Sequence, residues 1–205
     1  MLHTFVALVE DKPGVLTRVA SLFRRLNINI TSLTVGNTEN DGVSRMTIVA
    51  EAAEDRAHRM MASLYKLENV LEVDDVGRHS AVIRELALLK VECDAKNRAD
   101  LFQLAEVFHA RIVDLAPESL MMEITGSASK IEGLVQILVQ AGYRILEMAR
   151  TGRMAMRRGR HTSRVLAALN DTNSTGSPSS TPQKPANLMA DQQQSGNWIA
   201  EQNQS

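Results

Sequence analysis

One order of secondary-structure elements occurs twice, and it constrains the fold more than any other feature. An apolar run at residues 4–9 reads as a buried strand. From there Val15, Leu16, Val19, Leu22, Phe23 and Leu26 recur at helical spacing. Thr17, Arg18, Ser21, Arg24 and Arg25 take the wet face. Residues 28–35 alternate and are rich in β-branched side chains, which predicts a strand. A turn cluster at 36–42 separates it from a strand at 44–50, so the two should form a hairpin. Ala57, Met60, Met61, Leu64 and Leu67 share one helical face, and residues 70–76 make a last short strand. The order is βαββαβ, the ferredoxin-like unit.

About 80 residues on, the order recurs. A strand at 86–91 precedes a helix marked by Leu101, Phe102, Ala105 and Phe108. Strands at 111–115 and 120–125 flank a turn at Pro117. Ile131, Leu134, Val135 and Leu138 mark the next helix, and a strand at 143–149 closes the unit. Residue identity between the halves is low, so the repeat lies in the order of elements. The expected fold class is α+β: two tandem ferredoxin-like βαββαβ domains, joined by a linker at 77–81, with a disordered C-terminal tail.

Composition narrows the class. The chain has 205 residues, room for two small domains. Apolar residues make up 44% and aromatics only 3%, so the core must be aliphatic, with methionine filling gaps. A net charge of −1 gives no general pull toward nucleic acid or acidic lipid. Cys93 is the only cysteine, which excludes an internal disulfide and suits a reducing cytosol. The N-terminus lacks a basic region, and no apolar run approaches the ~18 residues of a membrane helix. The expectation is a soluble, cytoplasmic protein without a membrane partner. Beyond about His161 the chain turns Ser/Thr/Pro/Asn/Gln-rich, and residues 161–205 should be disordered. Trp198 and Ile199 read there as an apolar pair in a solvated tail, with a short docking motif as the alternative.

Catalytic chemistry finds no footing. His3, His58, His79, His109 and His161 are scattered without ligand spacing, and no CxxC or HExxH is present, so no metal is expected. Cys93 reads as a small core residue. Asp74 and Asp75 read as an exposed strand end. Both nucleotide-loop signatures are absent. RNA-recognition domains share the ferredoxin-like fold but stack bases on sheet aromatics, and the middle strands here carry none. The basic run at 150–161 reads as a solvated domain end, with phosphate binding as the alternative.

What remains is the stretch "VEDKPGVL". Gly14 falls where the first helix starts, and the first amides of a helix have no intrahelical partner. The helix dipole is positive there, glycine allows close approach, and Pro13 stiffens the turn. Asp11 could accept from an ammonium, and Asn29 offers both a donor and an acceptor. The turn and Asn29 sit at opposite ends of the helix, so two protomers rather than one would bring them together. The set suits an α-amino acid; a plain strand-to-helix turn is the competing reading.

The letters are more specific than the spacing. "LVEDKPGVLTRVASLFRRLNINITSLTVG" followed by "SRMTIV" resembles the ACT domain of the acetolactate synthase (acetohydroxyacid synthase) small, regulatory subunit. "ELALLKV", "FHARIVDLAPESLMMEITGSASKIEGL" and "ILEMARTGRMAMRRG" are similar to the carboxy-terminal domain of that subunit. The resemblance implies an ACT domain at 2–77, a small-subunit domain at 82–160 and a tail at 161–205. It implies a non-catalytic chain without its own cofactor. Its partner would be a large catalytic subunit that uses thiamine diphosphate, Mg and FAD in valine, leucine and isoleucine synthesis. It also implies a homodimer through the ACT domains with valine held across the seam. Carried over, one wall is Asp11, Lys12, Pro13, Gly14, Val15 and Leu16, and the other is Asn29 and Ile30. A carboxylate at Asp11 would attract the effector's ammonium and repel its acid end. The alternatives are another ACT-type amino-acid sensor, or an RNA-binding tandem ferredoxin-like protein.

Overall fold

Strand β1 (Leu2–Glu10) is buried along all but its ends, and its two alternating sets of side chains face two different layers. Phe5, Ala7 and Val9 point to the core beneath the helices; Leu8 and Val6 belong to separate apolar clusters on the other face. That double burial explains a continuous apolar run where a strand wet on one face would alternate. In this computed structural model the described residues are 1–159, Ser163 and 165–169.

The first unit continues with α1 (Val15–Arg25), β2 (Ile30–Asn37), β3 (Val43–Glu51), α2 (Glu54–Tyr65) and β4 (Val70–Asp75). Its antiparallel sheet has the order β2-β3-β1-β4. The second has β5 (Ala81–Glu92), α3 (Arg98–Val107), β6 (Arg111–Leu115), β7 (Ser119–Gly126), α4 (Ala128–Gln140) and β8 (Ile145–Arg150), in the equivalent order β6-β7-β5-β8. Each unit has its own apolar core, one around Phe5, Phe23, Ile48 and Met60, the other, without a buried aromatic, around Leu89, Leu101, Met122 and Ile131. Cys93 is buried in the second. The tandem ferredoxin-like reading and the β2–β3 hairpin hold.

Three helices end alike. After α1, Asn27 takes a left-handed φ of 52°, its N–H donates to Arg24 O, and Ile28 N–H donates to Phe23 O at 3.0 Å. His109 (φ 48°) after α3 and Gly142 (φ 82°) after α4 repeat the pattern, with Ala110 and Tyr143 donating back into the last turn. This Schellman cap pairs carbonyls that would otherwise be orphaned. It also explains a shift from expectation. Ile28 is a cap residue packed in the core, so β2 starts at Ile30 and runs on to Asn37.

Three further expectations change. Residues 81–85, split between linker and unassigned chain in the sequence reading, belong to β5. An unforeseen strand, β9 (Met154–Arg157), pairs with them from Ala81 to Arg84. Its basic, Met-containing sequence gave no alternation to read. Asp74 and Asp75 are not an exposed edge. Asp75 is 4% exposed and accepts from His3 Nδ1 at 2.8 Å and Gly77 N–H at 3.1 Å, while Asp74 accepts from Arg157 Nε at 2.6 Å. Residues 165–169, inside the segment expected to be disordered, are helical: Val165 and Leu166 pack on Leu8, Val43 and Leu71. Ser163 Oγ and Val165 N–H donate to Glu72. Trp198 and the rest of the tail lie outside the described residues.

The α1 cap gives a clean test. Asn27→Gly should leave stability within about 1 kcal/mol, and Asn27→Val, a β-branched residue forced to positive φ, should cost about 1–3 kcal/mol in urea denaturation.

Candidate functional site

The turn between β1 and α1 is fixed from outside. Asp11 N–H donates to Gly42 O at 2.8 Å, and Glu10 N–H donates to Asn69 O at 2.9 Å. Asn69 organises its flank. Its Nδ2 donates to Glu10 Oε2 at 2.5 Å, and Arg18 donates to its Oδ1. Lys12 Nζ lies 3.0 Å from the same Glu10 oxygen. The Asn69 hydrogen bond, and after it Lys12, hold the Glu10 carboxyl below its ordinary 4.5, against the opposing effect of partial burial. This Glu10–Asn69–Arg18 brace was missing from the sequence reading, because nothing local joins residues 51 or more positions apart.

Gly14 is the N-cap of α1 at φ 85°, and no side chain bonds the helix end. Val15 N–H reaches Lys12 O only at 3.4 Å, and Arg18 N–H donates to Gly14 O at 3.1 Å. Among the described residues, the amides of Gly14, Leu16 and Thr17 have no partner. No acidic residue stands in the first turn, and a Cβ at Gly14 would have no atom within 4 Å. Asp11, Lys12, Pro13 and Gly14 are exposed. Val15 is buried and anchors the helix, and Leu16 is 45% exposed. The Asp11 carboxylate has no hydrogen bond or ion pair among the described residues.

The second unit shows what such a turn does to a carboxylate. Asp94 stands three residues before its N-cap Asn97, as Asp11 stands three before Gly14. Asp94 Oδ1 accepts from the amides of Lys96 at 2.8 Å and Asn97 at 2.9 Å. These bonds lower its pKa, the Asn97 amide most, then that of Lys96. Asp11 cannot copy this bracket, because the residue in the place of Lys96 is Pro13, which has no N–H. In one turn of the repeat the acid is bound to its own turn's amides, and in the other it is left unpaired.

Asn29 is exposed and Ile30 half-buried at the start of β2. Eleven residues of α1, about 16 Å at 1.5 Å per residue, separate them from Gly14. One chain thus gathers residues 11–16 and holds Asn29 and Ile30 at the other end of the helix. Within the basic run, Arg150 pairs with Glu85 and Glu132, and Arg157 with Asp74. No group of three His, Cys, Asp or Glu among the described residues could hold a metal ion, and no helix there is long and apolar enough to cross a membrane.

Comparison with known proteins assigns both units to one family. A family model described as the AHAS small subunit-like ACT domain matches residues 5–72, and one described as the small subunit of acetolactate synthase matches 84–159. The probable acetolactate synthase small subunit of Archaeoglobus fulgidus is 45% identical over 159 residues, 78% of this chain and 98% of the relative. The chain belongs to the acetolactate synthase small subunit family. The small subunit of Mycolicibacterium smegmatis is 43% identical over 157 residues, covering 77% of this chain and 91% of the other. The crystal structure of the small subunit from Thermotoga maritima superposes with a TM-score of 0.72 at 38% identity, over 78% of this chain and 99% of that one. Membership in this small-subunit family gives the chain the role of a regulatory subunit, in keeping with the ACT domain it carries.

The brace at Glu10 predicts a pH dependence. Its folded pKa lies below the unfolded one, so its contribution is present above pH 4.5 and lost as pH falls through the lower folded value. The stability difference between the parent and Glu10→Gln in urea should stay constant above that pH and shrink below it.

Proposed function

We propose that this subunit binds a branched-chain amino acid, valine, at the β1–α1 turn, and that it activates a thiamine-diphosphate catalytic subunit and makes it sensitive to valine. The observation that carries the reading is the open turn. Free amides at Gly14, Leu16 and Thr17 suit the effector's carboxylate at a positive helix end. Asp11, unpaired one turn away, suits its ammonium. The aliphatic side chain would lie toward half-exposed Leu16. This assignment of ends removes the conflict at Asp11, since each charge of the zwitterion meets its opposite.

The second wall, Asn29 and Ile30, comes from another copy of the chain. An isologous two-fold contact supplies two such walls and makes two equal sites. Strand β2 is an edge of its sheet, with Val35 45% exposed, and offers the surface for that contact. The working assembly is then an ACT-linked homodimer in the cytoplasm, bound to the large subunit that carries thiamine diphosphate, Mg and FAD.

Gly14→Asp tests the site. Nothing crowds a side chain there, and Asp tolerates positive φ better than most residues, so the fold should survive. Valine inhibition of the reconstituted synthase should be lost while activation persists. Gly14→Asn, of the same shape without the charge, should lose less. Asn29→His should likewise reduce valine sensitivity. Full inhibition of the Gly14→Asp enzyme would remove the turn from the account.

A further inference from the structure

The stretch that leaves β8 crosses the outer face of the ACT sheet and touches all four of its strands. At β2, Thr34 Oγ1 donates to Thr151 O at 2.9 Å, and Arg153 N–H donates to Ser32 Oγ at 3.2 Å. At β3, Arg45 Nη2 donates to Ala155 O at 2.6 Å. At β1, Val6 packs with Ala155 and Val76. At β4, Arg157 bridges both carboxylate oxygens of Asp74, at 2.6 and 2.5 Å. Residues 151–157 form a strap across the sheet.

Both ends of the strap are rooted in the second unit. Arg150 is held by Glu85 at 2.5 Å and Glu132 at 2.7 Å. Thr151 N–H donates to Leu86 O at 3.0 Å, and its Oγ1 accepts from Leu86 N–H at 3.1 Å. Downstream, β9 is paired to β5. The middle of the strap belongs to one unit by its chain and to the other by its contacts.

Gly152 is where contact is closest. It sits at φ 80°, and a Cβ there would run into Ser32 Oγ and lie 3.1 Å from Thr34 Oγ1. Its missing side chain lets the strap lie against β2. The register of β2 cooperates. Ile30 pairs with Ala50 and Ser32 with Val49, so Thr31 is an extra residue. With it in place, Ile30 and Leu33 both pack toward the helix-side core, while Ser32 and Thr34 face the strap. Regular alternation through Thr31, with no bulge, would turn Ser32 inward. The bulge thus joins, within six consecutive residues, the proposed effector wall at Asn29 and Ile30 to the grip on the strap.

We infer that Gly152, with Ser32 and Thr34, is the coupling point through which the effector wall on β2 moves the second unit. The inference rests on the effector reading above. A shift of Asn29 and Ile30 on ligand binding travels along hydrogen-bonded β2 to Ser32 and Thr34. From there it passes through Thr151 and Arg153 to β5. Gly152, Ser32 and Thr34 are positioning residues and touch no effector themselves.

The test uses the full chain, alone and reconstituted with its catalytic subunit. Three variants are compared: Gly152→Ala, which lifts the strap; Thr34→Val, which keeps shape and removes the hydroxyl; and Thr34→Ser, which restores it. Valine should bind all three with Kd within about twofold of the parent by calorimetry. In the reconstituted enzyme, inhibition should weaken about tenfold or more for Gly152→Ala and Thr34→Val, within the usual range of coupling, and return for Thr34→Ser. Unchanged inhibition in Thr34→Val and Gly152→Ala, with valine still bound, would overturn the coupling point and leave the effector site standing. Loss of valine binding in Thr34→Val would overturn it too, because the hydroxyl would then serve the site itself. Absence of valine binding in the parent would instead overturn the effector reading.

Discussion

A helix leaves its first amides without partners inside the helix, and the equivalent turns before α1 and α3 each place an aspartate three residues ahead of the cap. What those two acids do separates the halves. In the second unit the Asp94 carboxylate folds back onto the amides of Lys96 and the cap residue Asn97, just before the helix. In the first, Pro13 removes one of the amides that such a fold-back needs, and Gly14 brings no side chain to replace it. The result is a positive helix end beside an unpaired acid. A small zwitterion matches that pair of charges better than a simple anion, which Asp11 would repel. The turn is tied to its own strand and its neighbours through Gly42, Asn69 and the Glu10 brace.

A second constraint is the outer face of the ACT sheet. Thr47, Arg45, Glu72 and Asp74 make it more polar than the helix side, yet most of it is covered. Burial lowers the pKa of Arg45, while Glu39, Asp74 and Glu72 oppose the shift. The cover is held by the Arg157–Asp74 pair, by single hydrogen bonds and by two small apolar clusters, a mixed composition like that of interfaces that can rearrange. Each bond is worth little alone, but losing one partner of a half-buried pair is costly. A contact of this kind suits the proposed passage of a signal between the two units.

The sequence was legible where local chemistry dominates. Helical stripes and β-branched runs placed both βαββαβ units, and "DKPGVL" placed the candidate turn. It failed where a cap geometry or a distant partner decides. Ile28 looked like a strand residue because its role is set by the cap at Asn27 and by Phe23. Met154–Arg157 looked solvated because its pairing lies with residues 81–84, and its Arg157 finds Asp74 from 83 positions away. Asp75 looked exposed because His3 lies 72 residues off. The closure at Asp94 was within reach: an acid three residues before a helix start, with no proline between, is an Asx-turn signal. Residue 152 gave no such signal, because glycine in a basic run reads as a loop until its neighbours are known.

The central claim is that each chain offers one open turn and one closed one. Isothermal titration of valine into the full-length protein measures this directly. The account predicts saturable binding of one valine per chain, two for each symmetric dimer. Two per chain, or no binding by valine, leucine or isoleucine, would contradict it.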